Sequence, residues 1–203
     1  NFTVGGGTLT ATEDCPSDVF CTWNPNFQSA ARKTITLANG NTFIAGQSGG
    51  DCSVSGTIGV SKGKYYWEQR TAQVDGTNAA VTGALHTAED YNETPAYVNV
   101  ANTCGMGSNG NVYKDTTDLG NFTTNTYNDD IFGVGFDADN GDVYFWRNGT
   151  ALNSGNAIVT GLDTSKTWIP YGICHGGATV TTDTNFGNGY WQTTAITSEG
   201  TNA

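Results

Sequence analysis

Asp130-Ile131-Phe132-Gly133-Val134-Gly135-Phe136-Asp137-Ala138-Asp139-Asn140-Gly141-Asp142-Val143-Tyr144-Phe145-Trp146-Arg147-Asn148-Gly149 is the stretch whose reading decides the fold. Two alternating apolar runs flank Asn140-Gly141, a dipeptide able to hold positive φ at both central positions of a type I′ turn. A two-residue turn there predicts that Asp139 faces Asp142, Ala138 faces Val143, Phe136 faces Phe145 and Gly135 faces Trp146. One face then carries Phe132, Val134, Phe136, Val143 and Phe145 at a period of two residues. The other carries Gly133, Gly135, Asp137, Tyr144 and Trp146, with the indole lying over glycines that supply no side chain. The pattern is that of a half-buried hairpin, with Asp139, Asn140, Gly141 and Asp142 as its structural turn.

The whole composition agrees with this local reading. In 203 residues there are 28 glycines and only 13% charged side chains, and no helical amphipathic run escapes Gly or β-branched interruption. The class is all-β. A net charge of −11, with no compensating Lys/Arg cluster, argues against a nucleic-acid partner. No run approaches eighteen consecutive apolar residues, so no membrane-spanning helix is expected. The sequence starts at Asn1 without a signal-peptide pattern, which reads as a trimmed chain or a segment of a longer one.

Outside the hairpin, Gly59-Val60-Ser61-Lys62-Gly63-Lys64-Tyr65-Tyr66-Trp67-Glu68 forms a second ordered motif. Trp168-Ile169-Pro170-Tyr171-Gly172, followed by Ala178-Thr179-Val180 and Asn185-Phe186-Gly187, forms a third. With the hairpin, these resemble the SPRY domain over roughly residues 30 to 188. The resemblance implies an antiparallel two-sheet β-sandwich of the concanavalin-like, jelly-roll type, with sheets about 10 Å apart. It implies a binding module, and it carries over no catalytic residue, metal or cofactor.

Taken in order, residues 1–25 read as an extended lead-in, 26–190 as the sandwich and 191–203 as a polar tail. The lead-in, through Phe20-Cys21-Thr22-Trp23-Asn24-Pro25, resembles the segment preceding the sandwich in SPRY-bearing structural proteins of tailed phages, marine ones above all. Cys15 and Cys21, six apart across Pro16-Ser17-Asp18, are the candidate disulfide; the alternative is buried apolar thiols, and five cysteines leave at least one unpaired. Asn39-Gly40 predicts a second hairpin between Lys33–Leu37 and Asn41–Ala45. Strands are expected around Ser61-Lys62-Gly63, over Ala79–His86, near Tyr97–Ala101 and Val112–Tyr113, over Ala157–Thr160, and over Trp168–Cys174 and Thr179–Phe186. Long polar connections studded with tyrosine are where a rigid sandwich carries recognition. That reasoning selects Tyr91, Tyr97 and Tyr113, with Trp191 in the tail, as ligand-binding candidates.

Several motifs that look like chemistry fail on context. Gly46-Gln47-Ser48-Gly49-Gly50 fits a nucleophile elbow, but a strand pattern rather than a helix follows it. Gly105-Met106-Gly107-Ser108-Asn109-Gly110 fits a dinucleotide fingerprint without the helix that would face a pyrophosphate. Asp137, Asp139 and Asp142 do not keep an EF-hand register and read as turn-stabilising groups. His86 and His175 are the only histidines, and His175 directly follows Cys174, so in a strand the two side chains diverge. A glycosidase would need two carboxylates sharing a cleft; Glu68 and Glu89 are conceivable, and nothing in the sequence pairs them. Sequons at Asn1, Asn92, Asn121 and Asn148 matter only after passage through a eukaryotic secretory pathway.

The expectation from these readings is a non-enzymatic structural or binding protein on the exterior of a phage virion: a fibre, decoration or host-adhesion domain acting through sandwich loops. Its expected partners are other virion proteins, a host-surface glycan or protein, and further copies of itself. The alternative is a secreted or cell-surface SPRY-like module in an extracellular setting.

Overall fold

The computed structural model describes residues 20–28, 35–46, 52–73, 80–88, 98, 100–124, 130–174, 180–191 and 194–195. The chain forms β1 (Trp23–Gln28), β2 (Ile35–Ala38), β3 (Phe43–Gly46), β4 (Cys52–Gly56), β5 (Lys64–Gln73), β6 (Ala80–Thr87), β7 (Thr103–Gly107) and β8 (Asn111–Lys114). It continues with β9 (Thr117–Asn121), β10 (Ile131–Asp137), β11 (Asp142–Arg147), β12 (Thr150–Ala151), β13 (Trp168–Cys174), β14 (Val180–Asn185), β15 (Tyr190–Trp191) and β16 (Thr194–Ala195). Among the described residues, one sheet runs β1-β4-β13-β6-β7-β8-β9 and a second runs β12-β11-β10-β5-β14-β3-β2; β15 pairs only with β16. Every strand pairing is antiparallel. The architecture is the expected two-sheet sandwich.

Its main core lies between the sheets. Leu85, Cys104, Met106 and Val112 from the first sheet meet Trp67, Phe132, Val134, Phe136, Val143 and Phe145 from the second. Burial of these side chains at about 25 cal/mol per Å² of apolar surface is the dominant favourable term. A second cluster joins Trp23, Ile35, Ile44, Cys52, Val54 and Val180, so β1 belongs to the packed sandwich from its first residue. Gly172 lets this cluster close, because a Cβ there would stand 3.5 Å from the Trp23 ring and collide with Ile44.

The central hairpin forms with a different register from the one predicted. Phe136 pairs with Val143, Asp137 with Asp142 and Gly135 with Tyr144, so a four-residue loop, 138–141, replaces the two-residue turn. The cause is Asp137. Its carboxylate accepts from the backbone N–H of Asp139 (3.1 Å) and Asn140 (3.2 Å) and from Asn140 Nδ2 (2.9 Å). The Gly141 N–H closes the loop on the Asp137 carbonyl at 2.8 Å. Gly141 alone in this loop takes positive φ, +73°, and the type I′ geometry is absent. A shift of two residues preserves side-chain parity, so the predicted faces survive. The Asn39-Gly40 hairpin shows an offset of the same size in the opposite direction: Ala38 pairs with Phe43 around a loop in which Asn39, Gly40 and Asn41 all have positive φ.

Other expectations shift with topology. The strands on either side of Ser61-Lys62-Gly63 lie in different sheets, joined by a connection that crosses the sandwich end. Gly105–Gly110 is a hairpin: β7 passes through Ser108–Gly110 into β8, with Gly110 at φ +84°. Ala157–Thr160 contributes only the bridge from Val159 to Val143. Val98 is buried but in no strand, while β7 and β9 occupy a region read as irregular.

Candidate functional site

At one end of the sandwich the sheets part to leave a cleft of about 170 Å³. Trp67 and Phe136 from the second sheet and Leu85 from the first form its buried inner surface. Ile58, Val60 and Pro170 wall it, and Phe20, Cys21, Tyr65, Tyr66 and Phe186 complete the lining. Tyr65 and Phe20 are exposed at its edge, 43% and 36%. The lining is predominantly apolar, the condition under which a cleft gains from an apolar guest.

The rim is held by the central hairpin. Asp139 Oδ1 accepts from the Gly63 N–H at 3.2 Å, and the Ala138 N–H donates to the Gly63 carbonyl at 2.9 Å. Tyr65 Oη donates to the Lys62 carbonyl at 2.8 Å, tying its phenol to the same connection. Lys64 Nζ reaches Asp137 Oδ2 at 3.1 Å. Bonding to Asn140, first of all, and then to Lys64 holds the Asp137 carboxyl below the usual carboxylate range, against burial. The same partner, Asp137, raises the Lys64 ammonium. The predicted turn is therefore a structural brace for the cleft end.

Cys21 is buried as a thiol, and Cys15, its partner in the candidate bridge, is not among the described residues. The sulfur packs against Gly56, where a Cβ would clash with it at 2.7 Å, and Thr57 Oγ1 donates to it at 3.9 Å. Burial pushes its pKa up, which suppresses thiolate chemistry. Tyr91, Tyr97, Glu89, His175 and the serine of Gly46–Gly50 also lie outside the described residues.

The remaining predicted residues are dispersed. Tyr113 sits on β8, half-buried against the cluster of Val81, Ala84, Val98, Tyr171 and Ile173. Trp191 on β15 is buried, with the Arg70 guanidinium 5.5 Å from its ring centroid. Neither lines the cleft. Glu68 accepts from Tyr66 Oη at 3.1 Å and from Asn185 Nδ2 at 3.3 Å. His86 is buried and bonded: Nδ1–H donates to the Thr87 carbonyl (2.9 Å), so Nε2 accepts from Ser55 Oγ (2.7 Å). Ser55 is equally enclosed, at 3% exposure, so this Ser–His contact is a satisfied core pair. Among the described residues no group of three or more His, Cys, Asp and Glu side chains is placed to hold a metal ion.

Sequence reasoning did not find the cleft. Its lining comes from seven separate stretches, and the one legible signal was the run of aromatics Tyr65-Tyr66-Trp67 at the head of β5.

No family model and no curated protein matches the chain. Solved structures do. The SPRY domain of human HERC1 superposes with a TM-score of 0.60 at 16% identity, over 80% of this chain and 96% of that one. The PSpry domain of TRIM65 gives 0.55 at 12% identity, over 82% and 92%. Stonustoxin gives 0.58 at 15% identity, over 82% of this chain but 27% of the larger one. At these identities the likeness is one of fold, and the fold is the SPRY β-sandwich.

Proposed function

We infer that this chain is a non-enzymatic binding module that grips a partner protein at the loop end of its sandwich, as a structural or adhesion component on the exterior of a tailed-phage virion. The apolar cleft under Tyr65 and Phe20 carries the reading. A rigid pocket with exposed aromatics at its edge fits a single apolar or aromatic anchor side chain, the usual centre of a protein interface. Its walls stand on paired strands and a hydrogen-bonded hairpin, so little ordering cost remains for binding. The acidic, sparsely charged composition and the lead-in resemblance support the virion setting over a secreted one. So do two sequons: Asn148 Nδ2 donates to Asp130 Oδ1 (2.6 Å), and Asn121 Nδ2 donates to the Asn109 carbonyl (2.7 Å) and Asn111 Oδ1 (3.0 Å). Glycosylation would have to take over these engaged nitrogens.

The test is incorporation into particles. Phe20→Ala with Tyr65→Ala removes the edge while sparing the buried core. The expected result is at least a roughly tenfold fall in copies per purified virion, the scale of a lost hot-spot anchor, with the melting temperature of the isolated chain little changed. Undiminished incorporation of a folded double variant would overturn the reading.

A further inference from the structure

The outer face of the second sheet carries Tyr144 and Trp146, which belong to neither the core nor the cleft, beside Tyr66, which also borders the cleft. Across three strands, Tyr66 on β5, Gly135 on β10 and Tyr144 on β11 form one cross-strand row, and Glu68, Gly133 and Trp146 form the next. The two glycines leave a shallow bed, and the rings cross it diagonally. A Cβ at Gly133 would lie 3.0 Å from Tyr66 Cε2 and Cζ, and one at Gly135 would lie 3.0 Å from Trp146 Cζ3. Any larger residue at either position would displace a ring.

The rings also brace one another. Tyr66 meets Trp146 edge-on at 5.8 Å and 74°, and Tyr144 lies 6.3 Å from Trp146 at 30°. Tyr66 is 39% exposed, while Tyr144 and Trp146 are half-buried. Beside them, Glu68 takes one hydrogen bond on each carboxylate oxygen, from Tyr66 and from Asn185. A carboxylate has about four acceptor sites, so capacity remains for a ligand's O–H donors.

We propose that Tyr66, Tyr144 and Trp146 form a stacking platform for an uncharged sugar ring of a glycan, oriented by Glu68 and Asn185. A pyranose has what this surface matches: a C–H face for the electron-rich rings and equatorial hydroxyls for the acceptor rim. The charge narrows the class. A chain of net charge −11 with a carboxylate at the platform repels sulfated or sialylated chains and accepts neutral ones. The platform adjoins the cleft at Tyr66, but Tyr144 and Trp146 lie outside it, and the inference does not depend on a partner at the cleft.

The experiment is a titration of the full chain, labelled with 15N at the indoles, with maltohexaose, cellohexaose, chitohexaose and a mannohexaose, and with heparin as the anionic probe. At least one neutral sugar should shift the Trp146 indole resonance, assigned by its loss in Trp146→Ala, while the Trp23, Trp67 and Trp168 signals stay in place. By calorimetry, Tyr144→Ala and Trp146→Ala should each weaken that sugar about tenfold, and Glu68→Gln a few-fold, with cleft-edge Tyr65→Ala neutral. Three outcomes would each overturn the proposal: no response to any neutral sugar at millimolar concentration, shifts confined to the cleft edge, or tighter binding of heparin. Failure here leaves virion incorporation through the cleft untouched, and the reverse also holds.

Discussion

Replacing Gly141 with alanine, beside the same change at Gly40, separates two costs that glycine avoids in these hairpins. Gly40 has φ +65° with nothing within 4 Å of a Cβ, so its alanine variant reports left-handed strain alone, about 1–2 kcal/mol. Gly141 has φ +73°, and a Cβ there would lie 2.8 Å from the Leu162 nitrogen and nearer still to its carbonyl oxygen. Leu162 cannot withdraw freely, because its N–H donates to the Gly141 carbonyl at 2.9 Å. Backbone displacement of this kind adds about 1–3 kcal/mol, for a total of roughly 2–5 kcal/mol. In a domain of this size that is a loss of about 2–4 °C in melting temperature per kcal/mol, and a clear shift of the urea midpoint at constant slope. Equal destabilisation by the two variants would refute the packing of the hairpin loop on Leu162, and with it the four-residue register.

Three further outcomes follow from the same geometry. The Asp137 carboxyl is held below its ordinary range, so its contribution is present above about pH 4, where an unfolded aspartate is ionised, and is lost as pH falls through the folded value; melting curves from pH 5 to 2.5 should show a shallower acid limb for Asp137→Asn than for the parent. Burial pushes the Cys104 thiol to about 12, so the folded chain should leave it unlabelled by Ellman's reagent. Its contribution is intact below about pH 9 and declines as pH rises toward the folded value, a slope that Cys104→Ala should remove; rapid labelling of native protein would contradict its burial. Arg147→Lys should cost about 1–3 kcal/mol in urea unfolding, because a lysine cannot reproduce the guanidinium bonds to Asp130, Thr123 and Thr124; a neutral result would mean that this network contributes nothing to stability.

The hairpin at 130–149 was legible because a period-two pattern survives any even change of register. Its faces were therefore predictable, and the capture of two backbone N–H groups by Asp137 was not. Strands β5, β13 and β14 were readable for the same reason. β7 and β9 were not, since Thr103–Gly107 and Thr117–Asn121 are rich in Gly, Asn and Thr and carry little apolar alternation. The cleft escaped for a different reason. Phe20, Val60, Leu85, Phe136 and Pro170 are each ordinary core or loop residues, and only the crossing of the chain between sheets at Ser61–Gly63 brings them to one opening. Trp191 was chosen for its ring in a polar tail; the structure sets that ring beside the Arg70 guanidinium.

Lys62 and Lys64 stand next to the cleft edge with exposed side chains, Lys64 at 77%, which makes amine cross-linking the direct probe of what this end touches. In the proposed virion setting, purified particles would be treated with a short amine-reactive linker, digested and analysed by mass spectrometry. The binding-module account predicts the chain in the particles, with Lys62 or Lys64 joined to a different virion protein and those links lost in the Phe20→Ala/Tyr65→Ala variant. Particles that lack the chain, or links from these two lysines that never leave it, would contradict the account.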